Sequence, residues 1–407
     1  MQALALRARI VSDKVAMAAG LDVRLLAMLL VMAVIWLGLD ALTGGTFLTP
    51  RNLFNLSLQV SVVGIMSCGM VLVIVSRHID LSVGSQIGFI GVFGALLQNS
   101  ILPIDGAATW WIAVLAMLAT GLLIGLIQGL LIAYGGVPSF VITLGGLLFF
   151  RNAAFYINNG VTIAPLNKTF QLLGGGLDGT IGAFWSWVVC AAAVVAVAAF
   201  VWRGARRRAV HGMATRSPAM HILLIAIWSF CIIVFTAVMN AYQQPRSNIP
   251  MGIPIPVLIL IGVTVAMSAI ASKHRFGRHV FAMGGSPENA ELAGIDTRRL
   301  TVAVFALMGI LCGLASIVIT ARLNAGASVT GTMTELNVIA ATVIGGTSLA
   351  GGVGTVYGAI VGALIMQSLE SGMILMGVAT PLQRMVLALV LIAAVWVDMV
   401  YRRMRLT

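Results

Sequence analysis

Ser272–Leu300, SKHRFGRHVFAMGGSPENAELAGIDTRRL, is the most polar run in an otherwise apolar chain, and the rest of the sequence is organised around it. Within it, Ser286-Pro287-Glu288-Asn289 combines an N-cap hydroxyl, a proline at the first helical position and an acid in the first turn, and Gly294 supplies a stop. These signals predict a helix of about two turns, Pro287–Ala293. So short a helix is unstable alone in water and needs a surface to bury one of its faces. Long apolar spans bracket it on both sides, so it is expected to lie on a membrane surface as a docking element rather than a reaction centre. A plain capped helix in a connecting loop carries the same local signals.

Hydrophobic residues make up 60% of the 407 and charged residues 9%, with a mean hydropathy of +1.06, the composition of an all-α polytopic membrane protein. The formal net charge of +12 suggests a nucleic-acid partner until the cations are placed. Most of the 24 Lys and Arg fall in four short segments: Arg7, Arg9, Lys14 and Arg24; Arg203, Arg206, Arg207, Arg208 and Arg216; Lys273, Arg275, Arg278, Arg298 and Arg299; and Arg402, Arg403 and Arg405. The positive-inside rule assigns all four to the cytoplasm, so no nucleic acid is expected. Cys68, Cys190, Cys231 and Cys312 stand one per apolar span without a CxxC, which points to neither a disulfide framework nor a metal site.

The first apolar run, Leu25–Leu42, is longer than a signal-peptide core and lacks a small-residue cleavage site, so it reads as an uncleaved span. Further spans are expected at Leu53–Ser76, Ile79–Gln98, Trp110–Tyr134, Val137–Ile157, Ile181–Trp202, His221–Ala241, Pro254–Ser272, Thr301–Ala321, Leu336–Thr347, Val356–Met376 and Leu382–Val400. Of these, Leu336–Thr347 is short for a bilayer that takes about 20 helical residues. Twelve crossings put both termini and all four basic segments inside, and ten or eleven with a re-entrant segment also fit. The division is a cytoplasmic segment 1–24, a membrane domain 25–400 with cytoplasmic loops 203–220 and 273–300, and a cytoplasmic tail 401–407. Trp110, Trp111, Trp185 and Trp187 fall at outer ends and Trp202 and Trp396 near inner ends, as an aromatic belt requires. The outer connections 43–52, 99–109, 158–180 and 242–253 are too short for a soluble domain, so water-soluble chemistry has to come from partners.

A charge at the bilayer centre costs roughly 2.5–3.5 kcal/mol, so embedded charges point to function. Asp80 stands in Arg77-His78-Ile79-Asp80-Leu81-Ser82-Val83-Gly84-Ser85, a polar, glycine-broken interruption just after a span ends. Backbone groups freed there need Ser82, Ser85 or water, which is tolerable inside a bundle or beside an aqueous path. The alternative is a hairpin tip at the inner surface with Arg77 pairing Asp80. A second interruption, Ile344–Gly354, matches the first. An ungapped shift pairs Leu81 with Leu349, Gly84 with Gly352 and Gly94-Ala95-Leu96 with Gly362-Ala363-Leu364. Discontinuous segments at corresponding places in two halves point to a transport path. The expected pathway set is Gln59, Asp80, Ser82, Ser85, Glu335, Asn337, Thr347, Ser348 and Glu370, with Arg151 snorkelling or paired and Asp398 paired with the terminal arginines.

The runs IDLSVGS, VPSFVITLGGLLFFR, FGRHVFAMGGSPENAELAGID, ELNVIAATVIGGTSLAGGVG and VWVD resemble those of inner-membrane permease subunits of bacterial ATP-binding cassette (ABC) importers for monosaccharides, with the ribose and xylose permeases nearest. The resemblance runs from about Arg51 to the C-terminus. An added segment, 177–241, with its RGARRR stretch is similar to the xylose-type branch. Asn337 stands where an acid is usual, Ser286 where Asn is common and Phe281 where Tyr is common. The resemblance implies a homodimeric bacterial inner-membrane permease that takes sugar, D-xylose on this branch, from a periplasmic or extracellular binding protein. It also implies a cytoplasmic ABC ATPase as the motor, meeting the permease through Gly277, Gly284, Gly285, Ser286, Pro287, Glu288, Ala290, Ala293 and Gly294, with the small residues of the short helix on the docking side.

The residues agree. The sequence holds no GxxxxGK[ST] phosphate loop, and none of Lys14, Lys168 and Lys273 follows a glycine-rich loop, so ATP is expected on the partner and no cofactor on this chain. A secondary sugar transporter, coupled to protons or sodium through Asp80 or Glu370, is the runner-up, since it too uses repeats and buried carboxylates. An intramembrane enzyme is excluded, because the five histidines sit near span ends without HExxH or a matched carboxylate pair.

Overall fold

The computed structural model describes residues 23–176, 178–211, 218–244 and 248–406, with side chains from 27 to 396 and at 399 within those ranges. Among the described residues every element is a helix. They are α1 (Val23–Leu42), α2 (Pro50–Val75), α3 (Val83–Leu96, extended by a wider π turn Leu97–Ile101), α4 (Thr109–Ala133), α5 (Ser139–Ile157), α6 (Lys168–Leu172), α7 (Gly182–Val210), α8 (Pro218–Ala241), α9 (Ile255–Lys273), α10 (Arg275–Gly285), α11 (Pro287–Leu292), α12 (Thr297–Leu323), α13 (Thr334–Ile344), α14 (Val356–Leu375) and α15 (Thr380–Leu406). Each of the twelve stretches expected to span contains a helix, although residues 79–82 of one and 345–347 of another lie outside it. Among the described residues eight helices are long and apolar enough to cross a membrane, namely α2, α4, α5, α7, α8, α9, α12 and α14, and shorter apolar runs lie at Ala27–Leu42, Thr334–Ile344 and Thr380–Trp396.

The bundle is built around α2, which starts at Pro50 in its first turn and is buried along its whole second half, from Val60 to Val75. It packs against α9, α12, α13 and α14, so it has no lipid-facing side there. The most extensive helix contact is α4 against α12, and its cause is a seam of glycines. A Cβ on Gly121 would strike Gly309 O, one on Gly309 would strike Gly121 O, and one on Gly125 would strike Phe305 O. Small residues every fourth position let two membrane helices approach until backbone meets backbone, where dispersion replaces the missing hydrophobic drive.

The short docking helix is present as α11. Ser286 Oγ accepts from Asn289 N at 3.3 Å, and Gly294 takes φ +80° just beyond its end. A second helix, α10, precedes it where the sequence reading saw only loop. Its N-cap is His274, whose Nδ1 accepts from Phe276 N at 3.2 Å. The buried positions Gly277, Val280, Met283 and Gly284 recur at helical spacing, a signal masked by the surrounding arginines and glycines.

The connections sort to opposite ends of the bundle. At one end Asn167 Nδ2 donates to Ile104 O at 2.6 Å, Leu166 N donates to Asn324 Oδ1 at 2.8 Å, and backbone bridges join Ile163 to Gly326, Thr180 to Pro254 and Gln243 to Pro250. These come from three of the four expected outer connections. At the other end the Lys273 ammonium lies 6.0 Å from the Phe200 ring, and Thr301 Oγ1 lies 3.5 Å from His78 Nε2, so the basic segments at 203–208, 273–278 and 298–299 gather together. The Asp398 pairing expected with Arg402 and Arg403 lies outside the described side chains.

If the α4–α12 seam sets the packing, Gly125→Val should force the helices apart and cost about 1–3 kcal/mol or more. A thermal-inactivation midpoint in detergent several degrees below the parent is expected, and an unchanged midpoint would count against backbone contact at that crossing.

Candidate functional site

Two breaks in helical structure define the site, and each frees backbone groups that have to be satisfied inside the protein. The first follows α2. Arg77 adopts φ +65°, a left-handed conformation uncommon for a long side chain, and this turns the chain out of the helix. Its guanidinium does not pair Asp80, contrary to the inner-hairpin alternative. Instead Arg77 Nε donates to Gly284 O and Nη2 to Gly285 O, each at 2.7 Å. Those are the last carbonyls of α10, which have no partner within the helix, and a cation placed there also meets the negative end of the helix dipole.

Asp80 is held by its own turn. Its Oδ1 accepts from Ser82 N at 2.8 Å and from Ser82 Oγ at 2.6 Å, and the carboxylate is 1% exposed. The network continues inward. Gln86 Nε2 donates to Ser82 Oγ at 2.7 Å and to Gln128 Oε1 at 3.1 Å, and Gln128 Nε2 donates to Ser82 Oγ at 2.9 Å. Ser85 Oγ closes the same turn on Ser82 O at 2.8 Å. A buried network of this kind specifies geometry, and among the described residues only Gln86 Oε1 in it lacks a hydrogen-bond partner. Gln86 and Gln128 were missed by sequence reasoning, although two glutamines inside apolar spans were visible as embedded polar groups. His78 rests against the Phe305 ring at 5.7 Å, and burial lowers its pKa below the ordinary imidazole value.

The second break runs from Gly345 to Thr355, and it meets the first. Gly352 N donates to Val75 O at 3.0 Å, at the end of α2. Gly351 and Gly352 take φ +87° and +74°, conformations that favour glycine, and the approach is close enough that a Cβ on Gly352 would lie 3.0 Å from Gly285 Cα. On the other side, a Cβ on Gly284 would collide with Val75 O. The end of α2, the end of α10 and the loop before α14 therefore meet backbone to backbone, pinned by Arg77. Thr347 and Ser348 are buried in this loop, with Ala350 N donating to Ser348 Oγ at 3.1 Å.

A third discontinuity explains why α13 is so short. After α12 ends at Asn324, in a left-handed conformation, the chain runs back into the bundle without helix along α3. Gly326 lies beside Gly91 and Val92, the carbonyls of Ser328 and Thr330 beside Gly88, and Gly331 beside Gly84. Helix α13 starts only there, at Thr334. From Gly326 to Gly331 the chain follows α3 from Gly91 to Gly84, about 10 Å of helix, in successive turns closed by Thr330 N on Ala327 O, Thr332 N on Val329 O and Thr334 N on Gly331 O. Arg151 neither snorkels nor forms an ion pair. Its Nη1 donates to Ser328 O at 2.9 Å and Thr330 O at 3.0 Å, which satisfies the unwound carbonyls. Glu335, 6% exposed in the first turn of α13, abuts Gly84, and among the described residues its Oε2 has no hydrogen-bond partner. It feels the charge of Arg151 across one turn of α3.

The remaining pathway candidates form a separate group. Glu370 Oε2 accepts from Gln367 Nε2 at 2.7 Å and from Asn337 Nδ2 at 3.3 Å, between α14 and α13. Gln59 is half-buried on α2 and joins neither group. Of the coupling candidates, Gly277, Gly284 and Ala290 face the protein's own interior, Ser286 and Pro287 are half-buried, and Gly285, Glu288, Ala293 and Gly294 are exposed. Ala290, at 4% exposed, seats α11 on the bundle, whereas Leu292 is 87% exposed.

The comparisons with known proteins agree on one class. Residues 52–395 match the family described as branched-chain amino acid transport system / permease component. The xylose transport system permease protein XylH of Haemophilus influenzae is 36% identical over 386 residues, 93% of this chain and 97% of that protein. XylH of Escherichia coli strain K12 is 37% identical over 389 residues, 94% of each chain. The ribose import permease protein RbsC of the same strain is 33% identical over 374 residues, 92% of each. No solved structure matches the chain.

If Arg77 fastens α10, Arg77→Met should leave the carbonyls of Gly284 and Gly285 without their side-chain donor, a loss of about 1.5 kcal/mol. Amide exchange across 275–292 should then speed up roughly tenfold, and Arg77→Gly, which relieves the left-handed backbone, should not restore protection. Unchanged exchange in both variants would remove Arg77 from the account.

Proposed function

This chain belongs to the family of permease components of branched-chain amino acid transport systems, and on that footing we propose that it is the membrane-spanning subunit of an ABC importer for a monosaccharide, D-xylose, in the bacterial inner membrane. The ATPase is a separate cytoplasmic subunit, a soluble sugar-binding protein delivers the substrate from outside, and two copies of the permease form the pore. Both termini lie in the cytoplasm, since the basic segments gathered at one end of the bundle make that end the inner one.

The observation that carries this reading is the junction of α10 and α11 with the two breaks. The exposed part of α11, Glu288 with Leu292, Ala293 and Gly294, offers the ATPase an apolar knob beside an acid. The preceding helix α10, through Gly284 and the Arg77 guanidinium, is fixed to the end of α2 and to the loop that starts α14. A displacement of α11 by nucleotide-driven closure of the ATPases moves both breaks together, and those breaks position the segments lining the path, α3 with Asp80, Ser82 and Ser85, and α13 and α14 with Glu335, Asn337, Thr347, Ser348 and Glu370. The geometry of Asp80 favours this over ion coupling. A carboxylate bonded to a backbone amide and a hydroxyl of its own turn serves as a brace, whereas a coupling carrier has to exchange its ion in each cycle. Glu335, buried with a free oxygen beside Arg151, and the Asn337–Gln367–Glu370 cluster offer the acceptors and donors that sugar hydroxyls need, and a transport path needs only weak contacts.

In proteoliposomes, xylose uptake should require ATP, the ATPase and the binding protein, and should survive collapse of proton and sodium gradients. Leu292→Asp should abolish co-purification of the ATPase while leaving the thermal midpoint of the permease unchanged, because the side chain is exposed. Gradient-driven accumulation by this chain alone, lost in Asp80→Asn, would establish a secondary transporter instead.

A further inference from the structure

The sequence contains no acidic residue between Asp178 and Glu288, yet that interval carries Arg203, Arg206, Arg207, Arg208, Arg216, Arg246, Lys273, Arg275 and Arg278. Of these, Arg203, Arg206, Arg207, Arg208, Lys273, Arg275 and Arg278 have no ion-pair partner among the described residues, where the one ion pair joins Arg299 to Asp296. Four of them stand at the end of α7. That helix has 29 residues and is about 44 Å long, against a hydrocarbon slab of about 30 Å. Its last two turns, beyond Trp202, therefore stand at headgroup depth.

The cations there are ordered into a site by helical spacing. Phe200, Arg203 and Arg207 follow at i, i+3 and i+7 and so share one face of α7. Lys273, the last residue of α9, lies with its ammonium 6.0 Å from the Phe200 ring, which brings a third cation to that same face from a second helix. Arg206 is directed elsewhere, over the Trp202 ring at 6.0 Å. The attraction of the helix dipole for cations ends within the last turn, so it covers Arg207 on α7 and Lys273 on α9 but leaves Arg203, and the meeting of all three on one face, unexplained. Along the bilayer from this cluster, Phe200 on α7 and Val265 and Ile261 on α9 are exposed, 73%, 65% and 49%, an apolar path of the kind an acyl chain follows.

We propose that Arg203, Arg207 and Lys273, with Phe200 as floor, form a binding site for the headgroup of an anionic phospholipid, whose acyl chains lie along α7 and α9. The charge complementarity is one-sided within the protein: the ligand has to bring the phosphate, and the depth has to be that of the bilayer surface. The site ties the α7–α8 hairpin, which makes few contacts with the rest of the bundle, to the base of α10 through lipid. It is independent of the transported sugar.

The test uses the full-length chain in mixed micelles holding equal amounts of phosphatidylglycerol and phosphatidylcholine, with native mass spectrometry counting the lipid retained. Each cation near an anionic surface contributes roughly a fivefold preference, on the order of a hundredfold for three. The wild type is expected to retain phosphatidylglycerol preferentially. The combined Arg203→Gln, Arg207→Gln and Lys273→Gln variant should lose that preference, and Arg203→Lys with Arg207→Lys should keep it. Equal retention of both lipids by the wild type would overturn the proposal, and so would an unchanged preference in the glutamine variant. Loss of ATPase co-purification in that variant with lipid preference intact would reassign the patch to a protein surface and overturn it equally.

Discussion

In an apolar slab every carbonyl freed by a broken helix needs a donor from inside the protein, since water is not there to supply one. Much of this structure follows from how that need is met. Arg77 fills it at the end of α10, Arg151 fills it along the turns before α13, and Asp80 fills the complementary need of an amide at the start of α3. Each is bound to backbone of opposite polarity, and for the buried Asp80 and half-buried Arg151 this compensates a charge that would be costly alone. The two arginines differ in consequence. Arg151 joins α5 to the turns before α13, whereas Arg77 joins the end of α2 to α10.

Glycine makes these junctions possible. At Gly284, Gly352, Gly121 and Gly309 the neighbouring backbone occupies the space of a side chain, so the segments touch main chain to main chain. Contacts of that kind leave little room for sliding, because interiors are close-packed and change by steps rather than by continuous deformation. A push on α11 therefore reaches the end of α2 and the loop before α14 with little lost to rearrangement. The exposed hairpin α7–α8 lies outside this path, which fits an element whose surroundings are chiefly lipid.

Most of the fold was legible in the sequence because its determinants are local. Apolar length located the spans, and Ser286-Pro287 with Gly294 located α11. What was hidden depends on pairing across the chain. Arg77 and Asp80 are three residues apart with opposite charge, so a local ion pair was the natural expectation, and only the arrival of Gly284 and Gly285 from two hundred residues away redirects the guanidinium. Helix α10 was hidden because its buried face is written in glycines. The run of turns before α13 was hidden because Gly326 and Gly331 mean nothing until Gly84, Gly88 and Gly91 of α3 are set beside them. Ala290 looked like a docking residue because it is small, and it is small for the opposite reason, to fit against the core.

The central claim is that α10 and the end of α2 move as one body when the ATPase closes. Double electron–electron resonance between spin labels at Ile79→Cys and Ala282→Cys, with Cys68, Cys190, Cys231 and Cys312 replaced, measures this in the assembled transporter. The account predicts one narrow distance distribution that is the same with and without ATP. A distance that shifts or broadens when ATP binds would show α10 moving against α2 and would contradict it.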